Sequence, residues 1–220
     1  MADLSFVYFD NDNDLRKFLI KNYDDIIDSL IKCFAPEDEF EKIKKDRLFD
    51  YMIMYKFGDW FFVLSDNKVI AFCILISSDI YNKYEYDIET YKVFKSSKYP
   101  KPNLGTSIKT GPFIETLCKK SGFKDAGKFL LDNLHALLKQ RGITNVYLVP
   151  ESMRNKDAYN GYLKHDNCNL SSNYYSSNMR LIEFYKKMGY HILDKSYVID
   201  TCEDNKDIRI AYNVMMIDLK

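Results

Sequence analysis

NMRLIEFYKKMGY, Asn178 to Tyr190, is the stretch whose reading decides the fold. Its spacing predicts one short amphipathic helix with Asn178 at its head and Tyr185 on its last turn. Gly189 follows as a cap, because glycine enters the left-handed conformation that ends helices without steric cost. Tyr190 then leads into extended chain.

Working outward, Tyr190 to Thr201 and Arg209 to Leu219 read as two strands around a turn at Asp204-Asn205. Upstream, Asn145 to Val149 is a buried strand, and Ala126 to Arg141 is a strong helix with Leu130, Leu134, Leu137 and Leu138 on one face and Gly142 as its cap. Before it come a turn, Ser121 to Asp125, and the strand Phe113 to Lys119. Trp60 to Leu64 and Lys68 to Ser77 form a hairpin around Asp66-Asn67, since aromatic and β-branched runs flank a turn dipeptide.

At the start, Ser5 to Phe9 is β-prone. Asn11 to Asp14 caps a helix carrying Leu15, Phe18, Leu19, Tyr23, Ile26, Ile27, Leu30 and Ile31, which Pro36 interrupts. A second helix is expected from Asp38 through Lys56, ended by Gly58. The predicted order is βααβββαβαββ. Residues 79–111 and 151–177 lack a sustained period and read as insertions on a single domain spanning residues 1–220.

Composition narrows the functional classes. With 46% hydrophobic residues and 15% aromatic, the chain carries far more core-forming material than a disordered one. Thirty-two basic residues balance 32 acidic ones, so no long-range field draws in nucleic acid or an anionic membrane. The five cysteines, Cys33, Cys73, Cys118, Cys168 and Cys202, are scattered and never paired as CxxC, which suits buried free thiols in a reducing compartment. His165 and Cys168 have ligand-like spacing but no further ligands nearby, and no metal is expected. The N-terminus lacks a basic leader and a long apolar core, and the longest apolar run, Val69 to Ile76, is far short of the ~20 residues a bilayer span needs. A soluble cytoplasmic protein is the expectation.

The helix signature, joined to the strand, turn and helix upstream, resembles that of the GCN5-related N-acetyltransferases from roughly Pro112 to Tyr190. That family's helix carries an Asn, an aliphatic residue three later, a Tyr seven later, and Gly-aromatic at eleven and twelve; Asn178, Leu181, Tyr185, Gly189 and Tyr190 stand at those places. The resemblance implies an α/β fold: a mixed, mostly antiparallel central sheet flanked by helices, with two strands splayed into a V at Leu117 and Tyr147. It also implies acetyl-CoA as acyl donor.

One part of the pattern departs. The family's acyl-CoA loop, [RQ]xxGx[GA], opens the helix after the strand and holds pyrophosphate on successive backbone amides, where the helix dipole favours anions. Here Gly122 stands where Arg or Gln is usual and Asp125 where the first glycine is usual; Gly127 alone matches. Read structurally, Asp125 is an N-cap accepting from the amides of the Ala126 to Lys128 turn. Lys119, Lys120, Lys124 and Lys128 surround that turn, as phosphate contacts or as a solvated face.

Acyl transfer from a thioester to an amine needs a neutral amine, a stabilised oxyanion and protonation of the departing thiolate. The resemblance assigns the first to Glu115, the only acidic residue of its strand. The plain alternative is an outward-facing strand carboxylate. Backbone at Leu117 and Cys118 would serve the oxyanion and the pantetheine. Tyr185 is the candidate general acid, because a phenol titrating near 10 holds its proton at neutral pH; the alternative is an aromatic cluster of Phe184, Tyr185 and Tyr190 at the helix end. Asn178 is an N-cap, a cofactor contact, or both. Cys118 reads as a buried small hydrophobe rather than a nucleophile, and the histidines receive no role.

These readings converge on an N-acyltransferase acting by direct attack of a primary amine on acetyl-CoA. Its acceptor would be a small molecule, a polyamine or a protein amine, met by Cys33 to Lys45 and Thr201 to Arg209, whose acid clusters suit a cation. The rival is a catalytically lapsed binding module that keeps the fold. Either could be monomer or homodimer.

Overall fold

The computed structural model describes residues 3–34, 58–77, 111–148, 150, 172–203 and 206–220, with side chains given outside 31–32, 34, 172–179 and 194–213. The element order is β1 (Leu4–Tyr8), α1 (Asp12–Lys21), α2 (Tyr23–Phe34), β2 (Gly58–Ser65), β3 (Lys68–Ile76), β4 (Phe113–Lys119), α3 (Ala126–Gln140), β5 (Asn145–Leu148), α4 (Ser172–Lys187), β6 (His191–Glu203) and β7 (Lys206–Asp218). The chain divides into two compact units. One comprises Met1–Ile76, Ile114–Thr144 and Leu219–Lys220; the other, Ser77–Phe113 and Asn145–Asp218.

In the first unit the strand order is β1-β2-β3-β4, with β1 and β3 each antiparallel to β2. The β2–β3 hairpin turns at Asp66 and Asn67, both with positive φ (52° and 60°), the conformation that matches the twist of a two-residue hairpin and that Asn and Asp tolerate. One face of this sheet is covered by α1 and α2. Leu15, Leu19, Ile26, Ile27 and Leu30 pack there with Trp60, Phe62, Phe72, Ile74 and Cys118. The pairing register explains the aromatic content: Phe62 lies opposite Phe72 and Trp60 opposite Ile74, so alternate residues of both strands reach the same side. Helix α3 packs across β2 and β3, burying Leu130, Leu131, Leu134 and Leu138.

One expectation is corrected here. The single helix expected around Leu15 to Ile31 is two helices, broken at Asn22 (φ −108°, ψ 17°), where the Asn22 amide and its side-chain Nδ2 both donate to the Phe18 carbonyl. Asn competes with helix continuation by bonding nearby backbone, so a polar break splits an otherwise continuous apolar stripe. Gly58 opens β2, opposite Ile76. The helix expected at 38–56 lies outside the described residues. The proposed insertions at 79–111 and 151–177 also lie almost wholly outside them.

The second unit holds β5, β7 and β6 in that order, each neighbouring pair antiparallel. Phe113, Tyr147 and Val214 form a small buried cluster. The Tyr147 amide donates to the Pro112 carbonyl at 3.0 Å, tying β5 to the residue just before β4. Seven strands, antiparallel in every pair whose register is resolved among the described residues, and flanking helices make the mixed α/β class expected.

The helix on which the sequence reading rests is longer than expected. It begins at Ser172, so Asn178 is its seventh residue and not its N-cap. Polar Ser and Asn without an intervening Gly or Pro weaken a helix but do not end one. Its end is as expected: Gly189 has φ +94°, its amide donates to the Lys186 carbonyl, and the Tyr190 amide donates to the Tyr185 carbonyl, both at 3.0 Å. Those two bonds satisfy carbonyls that a helix terminus otherwise leaves open.

Candidate active site

The predicted site residues fall in both units. In the first, β4 leads through a turn into α3. Alternation along β4 places Glu115, Leu117 and Lys119 on one face and Ile114, Thr116 and Cys118 on the other. The second set is buried, and Cys118 packs with residues of α1 and α2. Glu115 and Lys119 are exposed and Leu117 is half-buried. At the strand's end the Lys120 amide donates to the Ile70 carbonyl at 2.7 Å, which anchors β4 to β3 where the turn begins. Gly122, at φ +92°, takes a turn conformation that a side chain would resist.

At the head of α3 the structure corrects one expectation. Asp125 occupies the N-cap position, but its side chain makes no capping hydrogen bond. Its own φ and ψ (−91°, −7°) are already helical, whereas a capping side chain needs extended backbone to fold back over the first turn. The backbone does part of the work instead. The Ala126 amide donates to the Phe123 carbonyl at 3.3 Å and the Phe129 amide to the Asp125 carbonyl at 2.9 Å. Between them, the amides of Gly127 and Lys128 open the helix with no intrahelical acceptor, as helix geometry dictates. Ala126 and Gly127 are buried.

The lysines around this turn are not equivalent. Lys120 pairs with Asp25 of α2 at 2.6 Å, and Lys128 pairs with Asp132 one helical turn along at 2.5 Å. Lys119 and Lys124 are exposed and make no ion pair among the described residues. Sequence reasoning grouped the four; the i, i+4 spacing of Lys128 and Asp132 was a legible signal, whereas Asp25 lies 95 positions from its partner.

Cysteine placement is also corrected. Cys33 and Cys118 do not lie apart as separate thiols: their Cα atoms are 6.0 Å apart and their sulfurs meet. Cys73 is the buried free thiol expected, its pKa pushed up by burial. No sequence signal marks the pair, since 85 residues separate its members.

In the second unit, Tyr185 is buried at 7% exposure, and its ring meets those of Phe184 and Tyr190 edge-on, with centroids 5.2 and 5.6 Å away. The aromatic cluster weighed as an alternative is therefore present. It does not displace the chemical reading, because packing fixes the ring and leaves the phenol's role open. Asn178 is placed by its backbone alone, inside α4. Among the described residues no group of three metal-binding side chains occurs, and no helix is long and apolar enough to cross a membrane.

No family model and no curated protein matches the chain. Solved structures do. The chain is similar to the ribosomal-protein-S18-alanine N-acetyltransferase from Escherichia coli, at 10% identity and TM-score 0.50, covering 99% of this chain and 95% of that one. Aminoglycoside 6'-acetyltransferase type Ii follows at 14% identity and TM-score 0.49, covering 98% and 97%. The PaiA N-acetyltransferase from Thermoplasma acidophilum, solved in complex with coenzyme A, gives 14% and 0.43, covering 98% and 99%. At such identities likeness speaks for architecture, and the first comparison carries it. With βααβββαβαββ order among the described residues, the strand–turn–helix at β4–α3 and the glycine-capped α4, this chain has the fold of the GCN5-related N-acetyltransferases.

Proposed function

We propose that the chain is an acyl-CoA-dependent N-acyltransferase, moving an acetyl group from acetyl-CoA to a primary amine by direct attack. The observation that carries this reading is the head of α3, where the Gly127 and Lys128 amides open beside exposed Lys124 and Asp125 makes no cap bond. Open amides at a helix N-terminus suit an anionic diphosphate, and these residues fit that group. Lys119, Lys124, Asp125, Ala126, Gly127 and Lys128 would surround it, with backbone at Leu117 and Cys118 beside the pantetheine.

Bound acetyl-CoA supplies an activated thioester. Glu115, exposed on β4, takes a proton from the incoming ammonium, directly or through water, because an alkylamine titrating near 10 arrives charged. Tyr185 gives a proton to the departing thiolate. The acceptor stays at the level of an amine: a small molecule, a polyamine or a protein side chain.

A second reading has its own observation. Asp125 stands where the family's loop has glycine, and a carboxylate there repels phosphate, which favours a lapsed binding module. Thiol release from acetyl-CoA across an amine library tests the choice. Release that depends on amine supports the enzyme; acetyl-CoA binding with no release for any amine supports the module.

A further inference from the structure

We infer that Cys33 and Cys118 form a reversible thiol–disulfide site that clamps α2 to β4. Their Cα separation of 6.0 Å lies inside the range that a disulfide spans without backbone movement. The surroundings are specific to this pair. Cys118 Sγ lies 3.7 Å from the Ser29 carbonyl of α2, and Cys33 Sγ lies 3.9 Å from the Lys119 carbonyl of β4. Each sulfur thus sits against the other's element, and the Lys120–Asp25 ion pair joins α2, about two turns before Cys33, to the residue just after β4.

Exposure sets the order of reaction. Cys33 is half-buried and Cys118 is 1% exposed, so an incoming reagent reaches Cys33 first. With a small-molecule disulfide as oxidant, the Cys33 thiolate attacks one of its sulfurs, forming a mixed disulfide and releasing one thiol. Cys118, after losing its proton, attacks the Cys33 sulfur and releases the second. Two electrons pass from the protein dithiol to the external disulfide, and the two protein protons end on the two released thiols. Cys73 does not compete, because burial holds its thiol protonated. The proposal stands apart from the acyl-transfer reading: it needs no ligand, so either can fail alone.

The test equilibrates the full chain in glutathione buffers of rising oxidised fraction, followed by alkylation, peptide mapping, thermal unfolding and hydrogen exchange. A Cys33–Cys118 linked peptide is expected, with slower exchange in residues 23–34 and 113–119. Closing a loop of 85 residues should raise Tm on the order of 5–10 °C. Cys33→Ser should abolish the rise, and Cys118→Ala should trap glutathione on Cys33. Persistent alkylation of both thiols, linkage to other cysteines alone, or a linked peptide with unchanged exchange and Tm would each overturn the inference. So would a Cys118→Ala chain that takes no glutathione at Cys33.

Discussion

The ring of Tyr185 stands edge-on to the ring of Tyr190, centroids 5.6 Å apart with planes at 67°, while the Tyr190 amide donates to the Tyr185 carbonyl at 3.0 Å. The same residue is therefore held twice, through its ring and through the helix-ending backbone. Such double restraint places a phenol within a narrow range of positions, which a proton donor needs.

Tyr185→Phe keeps the ring and the backbone bond and removes only the hydroxyl. Turnover should fall on the order of 10²-fold, the scale of one general acid, with acetyl-CoA affinity within twofold of the parent. Steady-state kinetics beside calorimetry separates the two effects. Unchanged turnover would remove Tyr185 from the mechanism.

Gly189→Ala tests the cap. At φ +94° an added Cβ is strained by conformation, and it would also stand 3.3 Å from the Ile217 Cδ1. A loss of about 1–2 kcal/mol is expected in urea unfolding, because alanine enters the left-handed region unwillingly and Ile217 must yield. A loss below about 0.3 kcal/mol would mean that the helix end relaxes freely.

Asp125→Ala, which removes both the carboxylate and any capping oxygen, tests the head of α3. Since the carboxylate makes no cap bond, stability should change by less than about 0.5 kcal/mol. Acetyl-CoA affinity should rise roughly two- to fivefold through loss of repulsion at a helix N-terminus. Stability falling by about 1 kcal/mol or more would show that Asp125 caps the helix after all.

Burial lowers the His135 pKa from its ordinary value to about 4, against a smaller opposing effect of Asp132. The folded chain then holds His135 neutral at pH values where the unfolded chain protonates it. Stability from this group is therefore present above about pH 6.5 and falls as pH drops toward about 4, by on the order of 2 kcal/mol. Comparing His135→Gln with the parent by urea unfolding at pH 7.5 and 4.5 checks the sign. The parent should lose more stability than the variant over that interval.

What the sequence made legible follows from where structure is locally determined. The Asp66-Asn67 turn, β4 and both glycine caps depend on residues within a few positions of one another, and each lies where its pattern placed it. Asn22 was missed because its effect is a local side-chain bond set inside an apolar stripe that continues on both sides. The start of α4 was missed because Ser172 to Ser177 are polar without being helix-breaking. In the candidate site, β4 and the α3 head were readable as strand, turn and helix. The absent Asp125 cap was not, since it depends on a backbone angle, and neither the Cys33–Cys118 meeting nor the Lys120–Asp25 pair leaves a mark in spacing.

The most direct measurement is titration calorimetry of the reduced full chain with acetyl-CoA at neutral pH. Saturable binding at a stoichiometry of one, weakened by Lys124→Glu, is the predicted result. No heat of binding at millimolar ligand would contradict the central claim that the α3 head receives an acyl-CoA.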